Sequence, residues 1–340
     1  MITAGLPLRD ISGLSGLLAV DKPAGLISKD VSRLITKEYR RVRIGHVGTL
    51  DPMASGVLPI LFGEATKLQD YLLDIPKTYE FDVQFGFETD TLDDEGVKQI
   101  EGPWKHISRE MITEAILNFT GELDQIPPIY SARKYHGTPL YKYARRQEKE
   151  AVPIEGLSRR VTISSFELLD YQSGRAAFRV QCSKGTYVRS LARDLSRSLG
   201  TYGTVIRLRR THAAGVPPEN VIKLEELMQS LGELPSLVQP IEKIWLGFPH
   251  WTAIESLWQS RLTSGQTLVL ECEQFEKGWT CLEDNCMIQA KQNHLDMQNR
   301  DCFSRLVGLS SKEGKVFGIG FVQNFGHGKV TIHMKRGLLL

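Results

Sequence analysis

The stretch GHVGTLDPMASG, residues 45–56, places one acidic side chain, Asp51, in a segment rich in glycine and proline. Arg40, Arg41 and Arg43 come shortly before it. A carboxylate beside arginine stays ionised, and an ionised carboxylate shielded from water can act as a nucleophile without a metal. From spacing alone the simpler interpretation is a turn, because Asp before Pro is common in turns. Both interpretations stay open at this point.

Other catalytic patterns are missing from the sequence. It has no G-x-x-x-x-G-K-[ST], no H-E-x-x-H and no G-x-S-x-G, no G-x-G-x-x-G after a strand, and its histidines form no pair at helical spacing. The five cysteines are Cys182, Cys272, Cys281, Cys286 and Cys302. Their odd number argues against a disulfide framework and for a reducing compartment. No pair has C-x₂-C spacing, so small buried side chains are a simpler interpretation than a zinc site.

The composition is that of a soluble globular protein. Of 340 residues, 41% are hydrophobic and 24% are charged, and no apolar run approaches the roughly 18 residues of a membrane span. The first residues have no basic segment ahead of an apolar one, so we expect no secretory signal and a cytoplasmic location. The length suits one large domain and a smaller one.

Positive charge is concentrated although the chain is nearly neutral, with 42 Lys and Arg against 40 Asp and Glu. Three runs carry it: Arg33, Lys37, Arg40, Arg41 and Arg43; Arg133, Lys134, Lys142, Arg145 and Arg146, interleaved with Tyr130, Tyr135, Tyr141 and Tyr143; and Lys184, Arg189, Arg193, Arg197, Arg207, Arg209 and Arg210. Any one run could equally be a solvated helix face. Three runs with tyrosines between them favour RNA as the partner, since cations bind phosphates and planar rings stack on bases.

Hydrophobic periodicity predicts the elements that position these residues. Residues 77–86 alternate aromatic or branched with polar side chains, which is typical of a half-buried strand with Tyr79 on its inner face. Further strands are predicted at 17–20, 57–62, 161–169 and 175–182, helices at 28–39 with Ser28 as the cap, 64–73, 108–119 and about 186–199, and a solvated loop at 88–96. The last helix combines an apolar stripe with a basic one that starts at Arg189.

These elements mix without regular βαβ repetition, so we expect an α+β fold with a mixed or largely antiparallel sheet. We place one domain at residues 1–248, with a tyrosine-rich insertion at about 126–150. The segment 249–340 contains short β-like stretches, such as 266–270 and 316–322, and is predicted to be a small β-rich domain.

Six blocks of sequence resemble one known family. They are DKPAG at 21–25, GHVGTLDPMASGVLPILFGEATK at 45–67, KTYEFDVQFG at 77–86, IPPIYSARKYHGTPLYKYAR at 126–145, CSKGTYVRSLARDL at 182–195 and RLRRTHAAG at 207–215. In order and spacing they are similar to the bacterial tRNA pseudouridine synthase B (TruB) family over about residues 17–246. Beyond that, 305–309 and 316–320 look similar to the closing strands of a PUA domain, an RNA-binding module. The turn-only interpretation of Asp51 loses its weight.

The resemblance implies a pseudouridine synthase catalytic domain and a PUA-like C-terminal domain. It implies isomerisation of uridine 55 in the T-loop of tRNA to pseudouridine, by a monomer that needs no cofactor, no metal and no guide RNA. Asp51 would be the nucleophile, adding either to C6 of the uracil or to C1′ of the ribose, after the base has flipped out of the loop.

The resemblance also assigns roles to other side chains. Tyr79 would stack on the uracil and remove the C5 proton, and Arg189 would pair with Asp51. The remaining candidates for RNA contact or pocket support are His46, which would fill the gap left by the flipped base, Tyr187 and Leu208 as pocket walls, Lys22 as support, and Arg133, Lys184 and Arg209 on the basic runs. Without the resemblance, Tyr79 and Leu208 could be ordinary core residues.

Two rival functions remain. A guide-RNA-dependent homologue of archaea and eukaryotes has the same aspartate loop, although the form of residues 45–60 favours the stand-alone enzyme. An RNA-binding module or tRNA folding chaperone would need the basic runs and the tyrosines but no nucleophile.

Overall fold

The computed structural model describes residues 9–10, 13–40, 43–244, 250–253, 256–271, 279–280, 304–311, 313, 315–324 and 329–338. None of the helices in these ranges is long and apolar enough to cross a membrane.

The strands of the described residues form two large sheets and three two-stranded ones. Those before residue 245 are β1 (Arg9–Asp10), β2 (Gly16–Lys22), β3 (Tyr39–Arg40), β4 (Ile44–His46), β5 (Ser55–Phe62), β6 (Lys77–Phe85), β7 (Phe87–Thr89), β8 (Lys98–Glu101), β9 (Gly121–Gln125), β10 (Lys134–Tyr135), β11 (Thr138–Pro139), β12 (Arg159–Gln172), β13 (Arg175–Cys182), β14 (Gly203–His212), β15 (Val221–Lys223) and β16 (Gln239–Pro240). Those after it are β17 (His250–Ala253), β18 (Leu268–Glu271), β19 (Trp279–Thr280), β20 (Ser304–Ser311), β21 (Val316–Asn324) and β22 (Lys329–Gly337).

The helices are short. The α-helices are α1 (Ser28–Glu38), α2 (Gln69–Asp74), α3 (Arg109–Leu117), α4 (Leu140–Arg145), α5 (Val188–Ser198), α6 (Leu224–Gln229), α7 (Leu234–Leu237) and α8 (Ser256–Thr263). Short 3₁₀-helices lie at Gly63–Leu68, Lys149–Ala151, Ile154–Leu157, Pro218–Asn220, Leu231–Glu233 and Ile241–Lys243.

The main sheet has the order β15-β2-β5-β14-β6-β13-β12-β9, with β16 beside β2 and β4 beside β5. Among the described strands β14 runs parallel to β5, β15 runs parallel to β2, and the other pairs of this sheet are antiparallel. The predicted α+β fold with a mixed sheet is therefore confirmed. Strand β14 lies at the centre, between the strand that follows the Asp51 loop and the strand that carries Tyr79.

The inner face of β6 has the predicted alternation. Phe81, Val83 and Phe85 are buried in the main core, and Tyr79 packs against its edge. Phe81 stacks on Phe178 of the neighbouring strand with 5.2 Å between ring centroids. Burial of each large apolar side chain stabilises the fold by roughly 1.5–3 kcal/mol. The burial of this face therefore holds β6 in one register, and that register determines the position of Tyr79.

Helix α5 has the predicted arginines beside its leucines, but two of these arginines are not solvated. The side chains of Arg189 and Arg193 are buried together with the leucines of the helix. Arg193 donates to the carbonyl oxygen of Ile126 at 3.2 Å, and Arg197 forms an ion pair with Glu88 at 2.7 Å. The arginines of this helix thus bind neighbouring segments of the chain. The helical spacing of cations in the sequence does not predict these contacts.

The prediction of a solvated loop at 88–96 is wrong for its key residues. Glu88 and Asp93 are 9% and 5% exposed. Buried carboxylates require partners, and here Arg197 and Arg189 provide them. Those partners lie about a hundred residues further along the chain, so the local sequence gave no sign of the burial.

The second sheet consists, within the described residues, of β18-β22-β21-β20-β17-β19. It confirms the predicted small β-rich region; that this region is a PUA domain stays a prediction, as does the division of the chain at residue 248. Val316, Ile319 and Leu338 share one buried cluster with Leu68 and Leu72. Cys272, Cys281, Cys286 and Cys302 lie outside the described residues, and Cys182 is a free, buried thiol.

Candidate active site

The Asp51 loop joins β4 to β5. Its backbone is anchored at both ends, since the Val47 N–H donates to the carbonyl oxygen of Pro59 at 2.9 Å and the Ala54 N–H donates to that of Asp51 at 3.1 Å. The Asp51 side chain is 33% exposed. A fixed backbone with an accessible carboxylate is what a nucleophile needs.

Ser28 anchors the middle of the loop rather than capping α1. Its hydroxyl accepts from the Leu50 N–H at 2.8 Å and lies 3.1 Å from the Leu50 carbonyl oxygen, to which it donates. The helix has no side-chain cap at its start. The prediction that Ser28 caps the helix is therefore wrong, because its buried hydroxyl forms hydrogen bonds with the backbone N–H and carbonyl oxygen of Leu50 instead.

Lys22 joins the turn at 21–25 to the same loop. Its buried Nζ donates to the carbonyl oxygens of Pro23 at 2.8 Å, Leu26 at 2.7 Å and Pro52 at 3.3 Å. Desolvation lowers the pKa of Lys22 to about 8, although the charge of Asp51 opposes the change. Its place under the loop agrees with a supporting function, which stays a prediction.

The lowered pKa of Lys22 predicts a pH-dependent stability. The folded chain releases this proton near pH 8 and the unfolded chain near 10.5, so between these values the unfolded chain binds more protons and stability rises with pH. Relative to Lys22→Met, wild type should gain at most about 3 kcal/mol in its free energy of unfolding between pH 7.5 and 10.5. Urea titrations at several pH values measure it. Exposed Lys29→Met is the control, and a constant difference between wild type and Lys22→Met contradicts the prediction.

Arg189 forms the centre of the site. It is the second residue of α5 and is 4% exposed. Its Nε and Nη2 both lie 2.8 Å from Oδ2 of Asp51. Nη1 also donates to the carbonyl oxygen of Thr91 at 2.7 Å, and Nη2 donates to that of Tyr130 at 3.0 Å. The guanidinium therefore joins the Asp51 loop, the acidic segment 88–96 and the base of the insertion.

A second carboxylate shares this guanidinium. Oδ2 of Asp93 lies 3.3 Å from Nη1 of Arg189. Burial raises the pKa of Asp93, while the hydrogen bond from the Thr91 hydroxyl and the Arg189 charge oppose that change. Asp93 holds Arg189 from the side opposite the loop, so Arg189 is oriented between two acids.

The strands behind the loop provide the walls. Tyr79 on β6 is half-buried, and it lies beside Val180 of β13 and Arg210 of β14. Burial raises the pKa of its phenol, and the charge and hydrogen bond of Arg210 oppose this. Leu208, opposite Phe81, is 5% exposed. The side-chain face of β14 that carries Leu208 is thus the face that meets Tyr79.

Tyr187 precedes α5 and is held through its backbone. The Gln125 side chain accepts from the Tyr187 N–H at 2.8 Å and donates to its carbonyl oxygen at 3.1 Å. Tyr187 is the residue directly before Val188, where α5 begins, and Arg189 follows Val188. These two hydrogen bonds therefore fix the position of the first turn of α5, which carries Arg189.

His46 ends β4 at the entrance of the loop and is half-buried. Its Nε2 lies 3.4 Å from the Thr49 hydroxyl. Desolvation and the charge of Arg210 lower the pKa of His46, so its ring is neutral at pH 7. A neutral ring suits stacking on a base.

Three predicted RNA contacts lie elsewhere. Arg133 is exposed at the base of the β10–β11 hairpin, and exposed Lys184 pairs with Asp74. Arg209 binds both carboxylate oxygens of Asp21, at 3.0 and 2.6 Å. Because successive side chains on a strand point to opposite faces, Arg209 lies on the other face of β14 from Leu208. RNA contact by these three residues stays a prediction.

Sequence reasoning named Arg209 but missed its neighbour Arg210. Arg210 is 1% exposed, and its guanidinium donates to the carbonyl oxygens of Val57 at 2.7 Å and Gly48 at 3.0 Å. One feature of the sequence could have identified it. Arg210 follows Leu208 by two residues on the same strand, so the two side chains lie on the same face of the sheet.

Within the described residues no group of three or more His, Cys, Asp or Glu side chains could hold a metal ion.

Comparison with solved structures defines the class of fold. The chain superimposes on a chain of an H/ACA RNP bound to a substrate RNA containing 2′-deoxyuridine, with a TM-score of 0.64 and 19% identity over 96% of this chain and 85% of that one. A chain of an archaeal box H/ACA sRNP complex gives a TM-score of 0.63 and 20% identity over 95% and 86%. The fold is that of a pseudouridine synthase.

Sequence comparison gives the family. Residues 36–188 match the TruB family pseudouridylate synthase N-terminal domain, and residues 189–245 match the tRNA pseudouridylate synthase B C-terminal domain. The tRNA pseudouridine synthase B of Azoarcus sp. is 41% identical over 69% of this chain and 77% of its own. That of Caldanaerobacter subterraneus is 40% identical over 74% and 86%. The chain belongs to the tRNA pseudouridine synthase B family.

Proposed function

We propose that the protein isomerises uridine 55 in the T-loop of tRNA to pseudouridine, as a monomer, in the cytoplasm, without cofactor or guide RNA. Family membership supports tRNA pseudouridine formation as the reaction. The observation that carries the proposal is the accessible Asp51 carboxylate held on the buried Arg189 guanidinium, close enough to Tyr79 for its charge to act on the phenol.

Asp51 supplies the nucleophilic oxygen. Arg189 donates to Oδ2, and no described residue donates a hydrogen bond to Oδ1. Oδ1 is therefore the oxygen available to the nucleotide, and it adds to C1′ of the ribose or to C6 of the uracil. In the first route the C1′–N1 bond breaks with its electron pair on the base, the base turns, C5 bonds to C1′, and the bond to Asp51 is released.

Proton transfer completes either route. After C5 has bonded to C1′ it must lose its proton, and N1 must gain one. The Tyr79 phenol gives its proton to N1, and the phenolate that results takes the C5 proton, so that one proton is gained and one is lost. The Tyr79 ring stacks on the uracil against Leu208. Because the base must leave its stack in the T-loop at a cost of a few kcal/mol, the neutral His46 ring fills the gap and recovers part of that cost.

The insertion supplies cations for the RNA backbone. Exposed cations line it: Arg133, Lys134, Lys142, Arg145 and Arg146. Within it, Tyr135 and Tyr143 pack edge to face with 6.0 Å between ring centroids. Since the carbonyl oxygen of Tyr130 at its base binds Arg189, the surface that meets RNA is connected directly to the site.

The decisive experiment uses the protein alone with a T-arm hairpin. We expect one pseudouridine, at the position of uridine 55, mapped by chemical sequencing and quantified by tritium release from [5-³H]uridine. A hairpin with cytidine at that position is the matched control and should release none.

Each other result selects a different function. A pseudouridine at another position rejects the proposed substrate. Activity that requires an added guide RNA favours the guide-dependent homologue. Tight binding of the hairpin without product, together with faster refolding of misfolded tRNA, favours a chaperone.

A further inference from the structure

Arg210 is a buried cation whose partners are backbone rather than acid. Its guanidinium binds the carbonyl oxygens of Gly48, inside the Asp51 loop, and Val57, on the strand that follows the loop. The ion pairs of the described residues include its neighbours Arg207 and Arg209 but not Arg210. Burial of a guanidinium without a carboxylate is costly, and an apolar side chain would fill the same space at lower cost.

Two glycines, one in the Asp51 loop and one at the start of β5, lie against Arg210. Gly48 has a φ of +73°, and a Cβ there would lie 3.0 Å from Nη1 of Arg210. Gly56 has a φ of +106°, and a Cβ there would overlap the carbonyl oxygen of Arg210. Side chains other than glycine rarely adopt such angles. The loop and Arg210 therefore fit each other at two points, one on each side of Asp51.

The same guanidinium reaches the other wall of the site. Arg210 is the direct neighbour of Tyr79 in the β14–β6 pair and of Gly56 in the β14–β5 pair. The charge of Arg210 acts on the Tyr79 phenol and opposes the rise in its pKa that burial causes. One side chain thus binds the loop that carries the carboxylate and lies beside Tyr79 on the neighbouring strand.

We propose that Arg210 is a positioning residue, which holds the Asp51 loop and the Tyr79 phenol in one fixed arrangement for the reaction. This inference rests on the proposed function, in which these two groups act on the same uridine. Misplacement of a reacting group by about 1 Å costs on the order of 100-fold in rate. The charge of Arg210 also lowers the pKa of His46 and opposes the rise that burial causes in the pKa of Tyr79, so it acts on the electrostatics of the site as well as on its geometry.

The first test compares Arg210→Met and Arg210→Lys with Arg207→Met. Arg207 lies on the same strand, but its guanidinium is on the other face, paired with Asp82. With enzyme in excess over tRNA, Arg210→Met should slow the single-turnover rate about 100-fold, with tRNA affinity within about threefold of wild type. Arg210→Lys keeps the charge but lacks the fork of donors and should be intermediate. Arg207→Met should react like wild type.

The second test does not depend on turnover. In NMR titrations the His46 imidazole pKa should rise in Arg210→Met and stay unchanged in Arg207→Met, with His46→Gln used to assign the signal. Amide exchange in residues 46–51 should accelerate in Arg210→Met. If wild type forms no pseudouridine, the proposed function fails, and these two measurements still decide whether Arg210 holds the loop.

A purely structural Arg210 gives a different pattern. The loss of activity would then equal the loss of folded protein, measured by thermal unfolding, and the folded fraction would react at the wild-type rate. That outcome, or wild-type exchange and titration in Arg210→Met, overturns the inference.

Discussion

Asp51→Asn should abolish pseudouridine formation and leave tRNA binding intact. The amide has nearly the size and shape of the carboxylate but lacks a nucleophilic anion, so the single-turnover rate should fall about 10⁴-fold or more. Binding should change little, because Asp51 is one acidic group at an RNA surface whose affinity comes from cations and stacking. Tritium release measures the rate, and filter binding measures the affinity.

The control for this prediction is Asp170→Asn. Asp170 is exposed and pairs with Arg109 at 3.1 Å on a surface outside the site, so the same chemical change there should leave the rate unchanged. Normal turnover by Asp51→Asn would reject the nucleophilic function and return Asp51 to a turn residue.

The sequence predicted those parts of the fold that depend on local patterns. The alternation on β6 places Tyr79, Phe81, Val83 and Phe85 on one face, and the structure has them there. Alternation is sufficient because one face of a strand meets the core whatever its neighbours are. The same alternation allowed the strands of the main sheet and of the β-rich C-terminal region to be predicted.

Burial of charge could not be predicted locally. Asp93 and Arg189 both belong to charged runs, which are usually solvated. Each is buried because the other is present, together with carbonyl oxygens of Thr91 and Tyr130. Pairings between distant segments depend on the strand order of the sheet, and that order could not be predicted from the local patterns of a single sequence.

Arg209 and Arg210 illustrate the same limit within one strand. Both are cations in a block that resembles the family, and the sequence analysis selected Arg209. In the structure Arg209 is occupied by Asp21, while Arg210 contacts the loop. The two-residue spacing from Leu208 places Arg210 on the same face of β14. This spacing would have favoured Arg210 only once it was known that this face of β14 meets the site.

Arg189→Met should be the most damaging change outside Asp51. It leaves the Asp51 and Asp93 carboxylates and the carbonyl oxygens of Thr91 and Tyr130 without their shared donor. Loss of one partner from a buried ion pair typically costs about 3–5 kcal/mol. We therefore expect a lower thermal midpoint as well as a rate reduced about 10³-fold or more in the protein that remains folded.

Arg189→Lys and Arg197→Met separate the causes. Lysine keeps the charge but cannot reach four acceptors with one ammonium group, so its rate should lie between those of wild type and Arg189→Met. Arg197 lies two turns further along α5, is half-exposed and pairs with the buried Glu88. Its loss should lower stability, because Glu88 is left without its partner, and leave the rate unchanged. tRNA affinity should fall only modestly in Arg189→Met, because the guanidinium is buried and directed at protein groups. An unchanged rate in folded Arg189→Met would mean that Asp51 is oriented by another group, and the arrangement of two acids on one guanidinium would then serve only to hold the insertion against the sheet.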